Sequence, residues 1–148
     1  MKLGRFFAGD ETHLCKIDGE TVFDLTRAGF GTSMRALLDG YEEHRSAIEA
    51  VSGESLALST VSLAAPIDDP QKFLALGMNY KEHADKARAA GIKIPDSQLW
   101  FNKQVSCING PYAPFDLPKI SDRLDFEAEL AIVIGKRCRN VAAKDVRS

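Results

Sequence analysis

Cysteine, an excess of basic charge and long apolar runs are all scarce in this chain, and each scarcity narrows what it can do. Cys15, Cys107 and Cys138 are its 3 cysteines. They are odd in number, far apart and outside any C-x-x-C arrangement, which argues against a disulfide framework or a zinc site and leaves reduced thiols as the expectation. With 19 Lys+Arg against 21 Asp+Glu the net charge is −2. No basic cluster interleaved with aromatic residues forms an electrostatic footprint, so no nucleic-acid partner is expected. No apolar run approaches the ~20 residues that a bilayer-spanning helix needs. Residues 1–5, M-K-L-G-R, do not lead into a signal-peptide core, so no membrane association and a cytoplasmic location are expected. What is present is the composition of a folded protein: 45% hydrophobic and 27% charged residues over 148 positions, too apolar for disorder.

The first third reads as short extended runs separated by turns: L-G-R-F-F, Gly9-Asp10, H-L-C-K-I, Asp18-Gly19, T-V-F-D-L. Asp-Gly between two extended runs predicts a hairpin with a type I′ turn, which requires positive φ at both central positions. From Ser33, a plausible N-cap, the spacing becomes helical: Met34, Leu37 and Leu38 share one face, Gly40 interrupts, and Tyr41, His44, Ile48 and Val51 continue it. A strand-like V-S-L then leads to Pro66. Pro70 follows closely beside Asp68 and Asp69, which marks a boundary. The expected division is a small N-terminal domain over residues 1–66, a β-meander with a helix, and a second domain over 67–148. His13 and His44 have no carboxylate or cysteine at ligand spacing, and surface or packing roles are expected for both.

The second part opens with F-L-A-L, residues 73–76, bounded by Gly77 and read as a buried strand. M-N-Y-K-E-H-A-D-K-A-R-A-A-G follows. Asn79 can cap a helix with Glu82 reaching back to it, and Gly91 provides the stop. Beyond Tyr80 this helix offers only alanines for packing, so it should dock weakly. It is either a plain solvent-facing helix or a mobile lid. His83, one turn in, is either an exposed side chain or a general base, since imidazole titrates where proton transfer at neutral pH needs it. The run L-W-F-N-K delivers Lys103 at the end of a short strand, where it is either an exposed lysine or a point charge for a substrate carboxylate. Asn109-Gly110-Pro111 is a turn, and Pro114 and Pro118 keep the next stretch irregular.

Residues 126–135, F-E-A-E-L-A-I-V-I-G, carry the most specific pattern. With a period of two, Phe126, Ala128, Leu130, Ile132 and Ile134 share one face, and Glu127 and Glu129 share the other. In a strand the two glutamates lie roughly 6 to 7 Å apart with side chains on the same side. Two like charges beside an apolar run are unfavourable unless a cation lies between them, which suggests a hard divalent metal. An ordinary strand with one wet face accounts for the same alternation. A helix is expected to begin at residues 141–146. A strand as apolar as residues 130–134 also needs neighbours and a covering layer that the few residues after it cannot supply. The chain is therefore expected to be the N-terminal portion of something longer.

Taken together, L-G-M-N-Y-K-E-H (76–83), L-W-F-N-K ending at Lys103, the Gly110-Pro111 turn and D-F-E-A-E-L-A-I-V-I-G-K (125–136) resemble the acylpyruvase-like branch of the fumarylacetoacetate hydrolase family, in order and spacing. The resemblance implies an α+β, mainly β fold: a small N-terminal β-meander/helix domain followed by the first part of a mixed β-roll that commonly dimerises. It implies Mg2+ or Mn2+ held by Glu127 and Glu129 and by an aspartate further along, His83 as the base on a lid, and Lys103 holding substrate charge. The implied reaction is hydrolysis of a carbon–carbon bond in an acylpyruvate or related 2-oxo (β-diketo) acid. Decarboxylation or isomerisation on the same metal platform, or a non-catalytic binding module, are the alternatives. Two departures stand out. The family's lid places a glutamate three residues after the histidine, where this chain has Lys86, leaving Asp85 or Glu82 to orient His83. Asp145 lies where the family has a surface helix, so no residue after Glu129 can be assigned as the third ligand.

Overall fold

The computed structural model describes residues 1–146. Strands β1 (Lys2–Ala8), β2 (Glu11–Asp18), β3 (Thr21–Asp24) and β4 (Leu56–Ala57) form a 4-stranded antiparallel sheet in that order. The meander is as the sequence predicts, but its second turn is not. Asp18 pairs with Thr21, so the two-residue loop is Gly19-Glu20, and only Gly19 (φ 56) takes positive φ. Asp18 is used by the ladder, and a type I′ turn is ruled out because its second position lacks the required φ.

The segment after β4 touches both outer edges of this sheet. β4 pairs with β3; a few residues later Leu63 bridges to Phe6, Phe7 N donates to Ser62 O (2.9 Å), and Ala64 N donates to Arg5 O (2.8 Å). The V-S-L run is thus an edge contact, and the sheet closes on itself. Phe6, Cys15, Ile17 and Val22 pack on the enclosed face, against Leu58, Val61 and Leu63.

The opposite face carries helices α1 (Met34–Asp39) and α2 (Tyr41–Ala50), which split at Gly40. Ser33 caps α1, its hydroxyl accepting from Ala36 N (3.2 Å), and supplies one of the partners that the first helical amides otherwise lack. Leu14 and Leu25 meet Met34, Leu37 and Ile48 in the core between sheet and helices. The buried Lys16 ammonium closes the other end: it donates to Glu49 O (3.0 Å) and to Val51 O, at the α2 C-terminus, and lies 4.5 Å from the centre of the Phe23 ring. A cation there satisfies orphan carbonyls and the negative end of the helix dipole together. Arg5 ties down the stretch on both sides of Pro66, through Ala65 O (3.1 Å) and Asp68 (2.7 Å), while Arg35 pairs with Asp69.

From residue 72 on the structure is thinner. β5 (Leu74–Gly77) pairs antiparallel with β6 (Leu99–Asn102) in a 2-stranded sheet, and α3 (Lys81–Ala89) connects them. The expected buried strand at 73–76 exists, one residue later, but only Ala75 in it is buried. A two-stranded ribbon with no further strand beside it leaves most of its side chains in solvent. Residues 141–146 form no helix beyond a single 3-10 turn, Ala143–Asp145.

Residues 126–135, expected as a strand, have no ladder in this structure: the stretch is exposed and pairs with no strand among the described residues. Its alternating sequence has the right period, but a strand is stabilised by neighbours on its edges and a layer on its face. The described residues provide neither. Phe126, Leu130 and Ile132 are about four-fifths exposed (86%, 84% and 79%).

Candidate functional site

The corner between β5 and α3 is built from unusual backbone. A Cβ on Gly77 would come within 3.0 Å of Leu99 Cδ2, so glycine lets the two strands of the ribbon approach. Met78 follows with φ 56, a left-handed conformation that costs an unbranched residue on the order of 1 kcal/mol or more. This turns the chain sharply out of the strand, and the helix starts later than the sequence suggests. The N-cap is Tyr80, with no side-chain cap, instead of Asn79. Glu82 therefore lies in the first turn, where it favours the positive end of the dipole, without closing a capping box. The far end matches expectation: Gly91 (φ 77) accepts the reversal, with Gly91 N bonded to Arg88 O and Ile92 N to Ala87 O (both 2.9 Å), the paired bonds of a Schellman motif.

α3 buries only Ala84 and Ala87, one narrow face. His83 points outward and is exposed. Neither neighbouring carboxylate orients it. Asp85 is paired with Arg88 (2.6 Å), and among the described residues His83 and Glu82 make no hydrogen bond or ion pair. Lys103, just past β6, is half-buried; its backbone N donates to Phe73 O (2.8 Å), which extends the ribbon by one bond. Its ammonium has no partner among the described residues.

Glu127 and Glu129 are exposed, and neither carboxylate has a hydrogen-bond or ion-pair partner among the described residues. Hard oxygen donors with no competing cation are suited to magnesium or manganese, and magnesium commonly takes one or two carboxylates and keeps water elsewhere. The donor type therefore fits such a metal. The donor number stops at these two: no group of three His, Cys, Asp or Glu residues able to hold a metal occurs among the described residues. One bond links this stretch to the helix that carries His83. Leu130 N donates to the Tyr80 hydroxyl at 2.7 Å.

Two features lay outside the sequence reading. Tyr80 is more than the packing residue its place on the helix suggests: its hydroxyl's partner lies 50 positions away, beyond any local pattern. His13, expected to lack a carboxylate partner, has two. Its Nδ1 lies 2.7 Å from Asp24 and its Nε2 3.6 Å from Glu11, and its ring packs edge-on against Phe6. Sequence spacing hid the contact because Asp24 arrives from the neighbouring strand. His44 is a packing residue as expected, edge-on to Phe30. All three cysteines are free thiols. Cys15 alone is buried, and burial, reinforced by the negative charge of Asp24, pushes its thiol from an ordinary 9.0 up to about 11.

Comparison with known proteins adds an independent line. A family profile described as "Fumarylacetoacetate (FAA) hydrolase C-terminal" matches residues 72–148. The mitochondrial oxaloacetate tautomerase fahd2 of Xenopus laevis is 35% identical over 133 residues, 86% of this chain and 41% of that protein. The fumarylacetoacetate hydrolase domain-containing protein 2 homolog of Dictyostelium discoideum is 35% identical over 149 residues, 97% of this chain and 45% of its own length. Among solved structures, a maleylpyruvate hydrolase from Sphingobium sp. SYK-6, in complex with manganese(II) and pyruvate, is similar with a TM-score of 0.60 and 28% identity, over 80% of this chain and 43% of that one. The chain thus spans less than half the length of these relatives. With the profile match over residues 72–148 and the shared α+β fold, the chain belongs to the fumarylacetoacetate hydrolase family.

Proposed function

We propose that this chain carries part of a divalent-metal-dependent enzyme acting on an acylpyruvate or related 2-oxo (β-diketo) acid. In this reading residues 1–66 are a small N-terminal domain and residues 67–148 the first part of the catalytic β-roll. Glu127 and Glu129 hold Mg2+ or Mn2+, His83 carries the proton, and Lys103 neutralises substrate charge. The longer protein is a cytoplasmic homodimer with a small-molecule substrate. The observation that carries the reading is the pair of unpartnered carboxylates, Glu127 and Glu129, in a stretch bonded directly to the residue that begins the His83 helix.

A bound metal would supply Lewis-acid polarisation of the 2-oxo acid's oxygens. The side chains do the rest. Lys103 offers a compact positive charge without the fixed geometry of a guanidinium, which suits a mobile carboxylate. His83 can take or return a proton on the open face of α3. Carbon–carbon hydrolysis asks more of His83 than tautomerisation does, because it must also deprotonate a held water, and a hydrogen-bonded carboxylate ordinarily fixes an imidazole for that task. Here Asp85 is engaged with Arg88. That favours, as the second reading, keto–enol isomerisation, which moves a proton only between substrate carbon and oxygen. The tautomerase name of the Xenopus relative points the same way.

Titrating Mn2+ into the chain and following its electron-spin resonance signal tests the metal assignment. Wild type should bind, and Glu129→Gln should bind about tenfold more weakly or worse. Absence of binding both by this chain and by a longer product that contains it would end the enzyme reading. With metal bound, loss of an enol absorbance without cleavage selects a tautomerase. Cleavage that disappears in His83→Ala selects the hydrolase, and binding without either reaction selects a non-catalytic module.

A further inference from the structure

We infer that Tyr80 is a positioning residue: its hydroxyl is the latch that registers the His83-bearing helix against the Glu127/Glu129 stretch. The inference rests on the function proposed above. Tyr80 does two things at one place. Its carbonyl accepts from Ala84 N (3.0 Å), which begins the α3 ladder, and its hydroxyl accepts from Leu130 N (2.7 Å). Leu130 N is bonded covalently to the carbonyl carbon of Glu129, so the bond fixes the backbone immediately beside one of the two carboxylates. His83 is three residues beyond Tyr80, under one helical turn.

No other contact of this kind competes for the role. Among the described residues, this is the only hydrogen bond that leaves residues 125–134; the other one there, Phe126 N to Asp125 Oδ1, stays within the stretch. Tyr80 itself is placed by a stiff corner. Gly77 sits against Leu99, and Met78 is held at φ 56, so the direction in which the ring leaves the chain is set by the backbone before it. The helix beyond is held only through Ala84 and Ala87. Tyr80 is 44% exposed, so water competes with the bond, and it can open without unfolding a core. A breakable bond at the base of a weakly packed helix lets His83 and the two carboxylates approach and separate, and the closed bond holds them in register.

The test compares the whole chain with Tyr80→Phe, which keeps the ring and removes only the hydroxyl. Amide exchange read by nuclear magnetic resonance should show Leu130 exchanging about fivefold faster in the variant, the effect of losing one ordinary hydrogen bond. Leu14 and Val22, in the closed sheet, should be unchanged and report that the protein remains folded. With Mn2+ added to saturation, its affinity should stay within about twofold, since no carboxylate is lost. The broadening of the His83 ring protons by the bound ion should weaken, a change that a purely structural tyrosine would not produce. Unchanged Leu130 exchange, or unchanged His83 broadening at saturation, overturns the latch. If wild type binds no Mn2+, the Glu127/Glu129 pair does not hold the ion unaided, and the Leu130 comparison still decides whether the hydroxyl holds the stretch.

Discussion

Residues 1–69 and 72–146 are built to different ends. In the first, two layers of apolar side chains surround a closed sheet, and among the described residues every buried apolar side chain larger than alanine lies there. In the second, only Ala75, Ala84 and Ala87 are buried apolar residues, yet this part holds His83, Lys103, Glu127 and Glu129. The packed core and the candidate site residues are segregated. The difference teaches that a motif can be fully present in a sequence, with its charges unpaired and available, while the packing around it contributes almost nothing to folding.

The sharpest way to break this contrast is a matched pair of truncations. Leu14→Ala, in the core between sheet and helices, should cost about 2–5 kcal/mol, read as a lower midpoint in urea unfolding. Leu130→Ala, at an 84% exposed position, should stay within about 0.5 kcal/mol. Equal costs would mean that the second region has a core of its own. Next in size is Lys16→Met. It keeps the apolar stem but strips the α2 C-terminus of the cation bonded to Glu49 O and Val51 O, and leaving such groups unsatisfied should cost about 1–3 kcal/mol. The hydrogen-exchange protection of α2 should fall, and that of α3 should not.

The last contrast, silent at neutral pH, is a pH dependence confined to the first region. The Cys15 thiol titrates at about 11 folded against an ordinary 9.0. Its neutral form is therefore the one folding favours: the contribution is intact below 9.0 and is lost as pH rises toward 11. Cys15→Ala should flatten stability across that window. In native alkylation followed by mass spectrometry, the exposed Cys107 and Cys138 should be labelled while Cys15 resists, because a protonated buried thiol is a poor nucleophile.

Local patterns carried the first region well, and non-local ones decided what was missed. The meander, the Ser33 cap and the break at Gly40, and in the second region the stop at Gly91, are each written within a few residues, so period and turn chemistry suffice there. The turn at Gly19-Glu20 differs from the Asp-Gly reading because the ladder partner of Asp18, Thr21, decides where the loop begins. Asn79 lost the cap to Tyr80 because Met78 takes a left-handed φ, and nothing in a methionine announces this. The alternation at 126–134 is legible as a pattern, but whether it forms a strand depends on neighbours, and none pairs with it among the described residues. The candidate site residues were found through their motifs. The Tyr80 to Leu130 bond that brings two of those motifs together has no local signature.

The segment that touches both outer edges of the first sheet has a consequence for behaviour in a crowded solution. With β4 on β3 and residues 62–64 along β1, that sheet offers little bare backbone on which a foreign strand could add itself. Residues 130–134 are the opposite: aliphatic, uncharged, without proline and open, the kind of short segment that stacks into cross-β fibrils. If the purified chain forms fibrils, the ordered core of the fibril should be found there and the closed sheet left intact outside it.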